Sequence, residues 1–307
     1  RRGTFVNELE KPLIVIKIGS SSIVKHEGNN TDIDLNKISG LCKSINELRD
    51  SGHRVILVSS GAVAAGTHIV GIERPKSNDL KGLAACAAIG QPQLMTLYSK
   101  FAKELGFIFA QVLLTRSDFH DQDALDYLER TFESLFELGV VPLVNENDVV
   151  SNRELNFGDN DGISALITIL LKADKFVLLT DQEGLLDKDP NEHDDAKLIE
   201  DIDVYLPSMV DQHASMSEYG SGGHGTKVAA SDLATYACAD LVAHIANSKK
   251  ADSIVNILNS TEKSTRIKAK NTGLLSPIEA YEIFGELEKG RQEGRPYISV
   301  ADLVNQK

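Results

Sequence analysis

The sequence has no apolar run long enough to cross a membrane. Apolar stretches such as LIVIKI and VVPLV are strand-sized, whereas a spanning helix needs about 20 apolar residues. A leader signature is missing too, because the opening RRGTFVNELEKP has no apolar h-region. Positive charge is short: 32 Lys and Arg stand against 45 Asp and Glu, a net charge of −13, with no long basic run. Nucleic acid is therefore a poor partner. Cysteine is scarce, and Cys42, Cys86 and Cys238 are odd in number and free of CxxC spacing. They read as buried thiols in a reducing compartment, and the cytoplasm is the expected location. The eight histidines show no HExxH or other ligand spacing, so no protein-bound metal is expected.

What remains is ordinary globular material: 307 residues, 42% apolar and 25% charged, enough for one large domain or two smaller ones. Apolar, β-branched runs at 13–18, 54–59, 107–115, 140–145, 175–180 and 240–246 read as strands. Helical patterns lie between them, among them LNKISGLCKSINELRDSG, LKGLAACAAIGQPQLMTLYSKFAKELG, DQDALDYLERTFESLFELG and DNDGISALITILLKA. Several end in Gly just before the next strand. The rhythm predicts an α/β protein with a mostly parallel central sheet covered on both faces. Residues 183–218 read as loops and short elements. From about Asn271 a charged helix, PIEAYEIFGELEKGRQEG, reads as an appendage.

One stretch almost spells a P-loop. In EYGSGGHGTKVAASDLA, residues 218–234, four residues separate Gly220 from Gly225, but Thr226-Lys227 follows where a Walker A sequence has Lys before Ser or Thr. The preceding strand is absent as well. The glycines still open a helix, whose first N–H groups can meet an anion.

In open parallel sheets, ligands bind beyond the carboxyl ends of the strands. There, LIVIKIGSSSIV places Lys17 inside an apolar strand, which is costly without a negative partner, and Gly19-Ser20 directly after it. RVILVSSGAVAAG repeats the design with Ser59-Ser60-Gly61 at a helix start, as suited to an anion as to a plain helix cap. VVPLVNENDVVS and NFGDNDGISALI bring four carboxylates and three amides to one strand edge, including Asn145, Asp148, Asn160 and Asp161. Such a cluster repels itself unless cations sit within it, and an amino-acid substrate, Lys17 and Lys227 can supply them. The strand KFVLLT closes on Thr180-Asp181.

The segments VIKIGSSSIV, VILVSSGAVAAG, AAIGQPQLM, LLTRSDF, VVPLVNENDVV, FGDNDGISAL, LLTDQEGL and GSGGHGTKVAASDLA occur in one order. Over residues 12 to about 250 this order resembles the glutamate 5-kinases of the amino-acid kinase family. The resemblance implies a three-layer α/β/α sandwich at 10–272, with glutamate bound in the N-terminal half and ATP with Mg²⁺ in the C-terminal half. A helical tail at 273–307 would carry no RNA-modification-type or reductase domain. It implies phosphorylation of the γ-carboxylate of L-glutamate, the first step of proline biosynthesis. Lys17, Lys227 and Asp161 match its catalytic positions, and Ser60, Gly61, Asp148 and Asn160 its substrate positions. Lys17, Gly19, Ser20, Thr180, Asp181, Ser221, Gly222, Gly223, His224, Gly225, Thr226 and Lys227 match its ATP positions. Proline as feedback inhibitor, glutamyl phosphate reductase as transient partner, and a homo-oligomer, dimer or tetramer, are implied alike. His224, Gly225 and Gly162 depart from the usual Met, small polar residue, and Thr or Asn. Acetylglutamate kinase, aspartokinase and uridylate kinase share the lysines, as alternatives beside a non-catalytic amino-acid sensor.

Overall fold

The structure is a computed structural model that describes residues 8–27, 30–151, 160–188, 193–203, 224–269 and 275–306. Its centre is an eight-stranded sheet in the order β5-β6-β4-β1-β7-β9-β10-β8. The strands are β1 (Leu13–Ile18), β4 (Arg54–Ser59), β5 (Phe109–Leu114), β6 (Val141–Glu146), β7 (Lys175–Thr180), β8 (Asp201–Ile202), β9 (Val242–Asn247) and β10 (Thr265–Lys268). Neighbours from β5 to β9 pair in parallel, β10 runs antiparallel to β9, and β8 is parallel to β10. A separate antiparallel hairpin joins β2 (Val24–Glu27) to β3 (Asn30–Ile33).

The helices are α1 (Ser20–Ile23), α2 (Leu35–Asp50), α3 (Ala62–Val70), α4 (Leu80–Glu104), α5 (Gln122–Glu137), α6 (Asn160–Leu170), α7 (His224–Ala237), α8 (Ile254–Leu258), α9 (Pro277–Gln292) and α10 (Val300–Asn305). Their starts are chemically marked: Asp34, Asp79 and Asp121 accept backbone N–H groups at α2, α4 and α5, and Ser276 with Glu279 forms a capping box before Pro277. The glycines foreseen after α2, α4 and α5 (Gly52, Gly106 and Gly139) all have positive φ.

Because β1 is buried on both faces, its period of two divides the core. Leu13 and Val15 join one apolar cluster with α5, α6, α7 and α9, whereas Ile14, Ile16 and Ile18 join another with α2, α4 and α8. Sheet and helices thus form the expected α/β/α layers. The alternation also fixes the site, since Lys17 shares the face of Leu13 and Val15, toward α6. The three cysteines are free and buried, and burial pushes the Cys42 thiol up to about 12.

The sequence reading missed β2, β3, β8 and β10. At two to four residues, with polar members such as TRIK, they are too short to show a period. The C-terminal helices join the same core: Ala280, Ile283, Phe284, Leu287 and Val300 are buried in the α6/α7 cluster. Among the described residues, no helix is long and apolar enough to cross a membrane.

Candidate active site

Lys17 is the fifth residue of β1, and central pairing with both β4 and β7 buries it to 4% exposure. Its Nζ lies 2.6 Å from Oδ1 of Asp161, in the first turn of α6. The contact is an ion pair between two almost fully buried side chains. From the first turn of α7, Lys227 brings its Nζ to 3.3 Å from Oδ2 of the same carboxylate. Thr226 donates its hydroxyl to that oxygen at 2.6 Å. Residues 66 positions apart in one pair and 144 in the other (161 minus 17) thus share a single acid.

Burial alone would raise the pKa of Asp161. The Lys17 and Lys227 ammonium groups, with hydrogen bonds from Lys17 and Thr226, outweigh it and hold the carboxyl well below the usual carboxylate range. Asp161 is a fixed anion and a poor base. Each ammonium has three donors, and both helices direct their positive N-terminal ends here.

The backbone around these groups leaves room for an anion. A Cβ at Gly19 would stand 3.5 Å from Lys17 Nζ, so glycine keeps the space over the ammonium open. In the following turn, α1 from Ser20, the buried Ser22 hydroxyl has no hydrogen-bond partner among the described residues. Ile18 pairs with Leu179, so Gly19 leaves β1 beside Thr180, the last residue of β7. Thr180 donates to Asp181 at 3.1 Å. These features fit a polyphosphate. Among the described residues, no group of three His, Cys, Asp or Glu could hold a metal.

On the other side of Asp161, Asn160 donates to Ser60 Oγ at 2.8 Å. Ser60 follows β4, and Gly61, at φ +116°, caps α3. Asp148 lies in the turn after β6, partly exposed. Lys17, Asp161, Thr226 and Lys227 therefore meet directly, and Asn160 ties Ser60 to the same helix start. His224 and Gly225 open α7. Ser221, Gly222, Gly223 and Asp159 lie outside the described residues.

Sequence reasoning gave no role to Gln91 and only a cluster place to Asn145. Asn145 donates to Gln91 Oε1 at 2.8 Å and accepts from Asn160 at 2.9 Å. A signal existed for Gln91: it falls in the buried stripe of α4 formed by Leu83, Cys86, Ala87, Gly90, Leu94 and Tyr98. A buried amide there needs a partner. Thr226 was placed with the nucleotide, and here it also orients Asp161.

The profile of the amino acid kinase family matches residues 12–256. The glutamate 5-kinase of Prochlorococcus marinus strain MED4 is 38% identical over 255 residues, 82% of this chain and 69% of its own length. That of Clostridium perfringens strain 13 is 35% identical over 84% of this chain and 95% of its own. For the enzyme of P. marinus strain MIT 9301 the chain spans 61% of the relative's length. Solved structures of the same fold include isopentenyl phosphate kinase, with 20% identity, a TM-score of 0.56, and coverage of 83% of this chain and 100% of the other. Giardia lamblia carbamate kinase bound to AMP-PNP gives 16% identity and a TM-score of 0.57, covering 85% and 99%. With its shared Asp161, its sandwich and these likenesses over most of its length, the chain belongs to the amino acid kinase family and groups with its glutamate 5-kinases.

Proposed function

We propose that the site transfers the γ-phosphoryl group of ATP to the side-chain carboxylate of L-glutamate, giving ADP and L-glutamyl 5-phosphate, the first step of proline biosynthesis. The observation that carries this reading is the meeting of Lys17 and Lys227 at one buried carboxylate. The names of the relatives support glutamate as acceptor.

No general base is needed, because a glutamate side chain with a pKa near ~4.3 is already a carboxylate at neutral pH. The barrier lies in bringing one anion to another, which positioning and charge neutralisation lower. Lys17 and Lys227 stabilise the charge on the transferring group from two elements, and Asp161 holds both ammonium groups in place. In the N-terminal half, Ser60, Gly61 and Asn160 seat the acceptor, and Asp148 receives its α-ammonium. In the C-terminal half, Thr180, Asp181 and 221–227 hold the nucleotide, with Gly19 and Ser20 beside the phosphates. Mg²⁺, when bound with ATP, supplies further neutralisation of phosphate charge.

A coupled assay of ADP release with L-glutamate, N-acetylglutamate, aspartate and UMP tests the reading. Glutamate is expected to give the highest kcat/KM, and a higher value for any other acceptor would replace it. Proline is proposed as an inhibitor in the same assay. A homo-oligomer is the proposed assembly, checked by light scattering, and glutamyl phosphate reductase a transient partner, checked by co-sedimentation. The cytoplasm is the proposed compartment.

A further inference from the structure

The acceptor side of the site is built on a line of four amides ending at a hydroxyl, and one backbone N–H sets its direction. The Glu146 N–H can only donate, and it lies 2.9 Å from Asn145 Oδ1 and 3.0 Å from Asn160 Oδ1. Both positions must therefore be oxygens, whichever way an isolated amide would turn. Asn145 Nδ2 is then directed at Gln91, which must present Oε1, at 2.8 Å. Gln91 Nε2 in turn donates to Gln111 Oε1 at 2.9 Å. In the other direction, Asn160 Nδ2 donates to Asn145 Oδ1 at 2.9 Å and to Ser60 Oγ at 2.8 Å. Both Asn160 amide protons are thereby used.

Ser60 Oγ consequently accepts from Asn160, and its own proton is left to point elsewhere. Among the described residues it makes no hydrogen bond as a donor. A hydroxyl held as a donor at a partly exposed position suits an anionic acceptor group, and a neutral carbonyl less well. Gln91, Asn145 and Asn160 are buried, so a missing partner in this line is costly, whereas Gln111 at its far end is exposed.

We propose that Gln91 is a positioning residue for the acceptor: by accepting from Asn145 it locks Asn145 and Asn160 in the orientation that makes the Ser60 hydroxyl a donor to the substrate carboxylate. This rests on the reading of the site as a carboxylate kinase. Gln91 touches no reacting atom and acts through Asn145.

The test is steady-state kinetics of wild type, Gln91→Leu and Gln91→Glu. Leucine leaves the Asn145 donor unpaired, and the KM for L-glutamate is expected to rise about tenfold to a hundredfold, the fold-change for one buried donor without a partner. The KM for ATP stays within about twofold, since the nucleotide is held by other elements. Glutamate at this position offers an oxygen to Asn145, and the exposed Gln111 amide can turn to donate to it. Gln91→Glu is therefore expected to restore a KM within about threefold of wild type. An unchanged glutamate KM in Gln91→Leu, an equal rise in both KM values, or a Gln91→Glu variant as impaired as the leucine one overturns the proposal.

A second measurement needs neither a folded variant nor activity. In the wild-type protein, the side-chain amide protons of Asn145 and Asn160 should exchange with solvent far more slowly by NMR than those of exposed Asn36. Exchange at the exposed rate overturns the relay. Slow exchange in a protein that releases no ADP with glutamate keeps the relay and sinks the proposed function instead.

Discussion

At the scale of single residues, Asp161 decides how the site works, because two ammonium groups depend on one carboxylate. Asp161→Asn keeps the shape and an acceptor for Thr226 but removes the charge. We expect kcat to fall by about two to three orders of magnitude, the scale for losing one preorganised electrostatic contact. Lys227→Ala should fall comparably, and near-wild-type ADP release in either variant would refute the assignment. Asp148→Ala should instead raise the KM for glutamate and leave that for ATP unchanged. Away from the site, His244 in β9 is 1% exposed and 3.2 Å from Ser264 Oγ. Burial, then Lys175 and Arg266, lower its pKa from 6.5 to about 4, against a smaller opposing effect of Asp201. The folded protein thus takes up this proton later than the unfolded chain. The stabilisation is present above about pH 6.5 and is lost as pH falls toward 4, on the order of 3 kcal/mol in all. His244→Gln should flatten this decline in urea unfolding between pH 7 and 5. An equally steep decline in the variant would assign the acid sensitivity elsewhere. Lys17 was legible in the sequence because a lysine inside LIVIKI demands an anion. Asp161 and Asn160 were harder to read, since acids and amides at a helix start are also ordinary caps.

At the scale of elements, the junction of α3 and α4 sets how Ser60 is presented. The two helices meet backbone to backbone: a Cβ at Gly90 would lie 1.9 Å from the Ala62 carbonyl oxygen, and one at Gly66 1.9 Å from that of Cys86. Gly90→Ala must push α3 away, at a cost of about 1–3 kcal/mol. Because α3 starts directly after Ser60-Gly61, the glutamate KM should rise as the melting temperature falls. A variant that melts like wild type would show that the junction yields without strain. The long strands were readable within two residues, since burial on both faces makes a strand continuously apolar, and the helix read over 159–173 ends three residues earlier, at Leu170. The close helix crossing was not readable, because AVAAG and AAIG look like any small-residue run until two helices are placed together. The relay through Gln91 was hidden for the same reason, as its partners come from α4, β5, β6 and α6.

At the scale of the whole molecule, the C-terminal helices brace the catalytic layer. Arg116 packs over Tyr281 and Phe284 of α9 at 5.3 and 5.2 Å from the ring centres. Asp232, in the helix that carries Lys227, accepts from Tyr297 Oη and from the Val300 N–H, both at 2.8 Å. Removing residues 275–307 bares the buried faces of Ile283, Phe284 and Leu287 on the α6/α7 layer side. We expect the truncated protein to lose several kcal/mol of stability and most of its activity. A truncated protein that unfolds at the wild-type urea midpoint would contradict this. The role was hidden because the stripe of Ala280, Ile283, Phe284 and Leu287, at helical spacing, marks a buried face without telling which layer it covers. The arrangement also bears on biosynthesis. The Asp232 carboxylate meets those two donors only after the ribosome has translated another 65 and 68 positions. Nascent chains arrested before Tyr297 would carry every catalytic group yet leave the Lys227 helix unfastened, so competence for phosphate transfer would come only once the segment through Val300 has emerged.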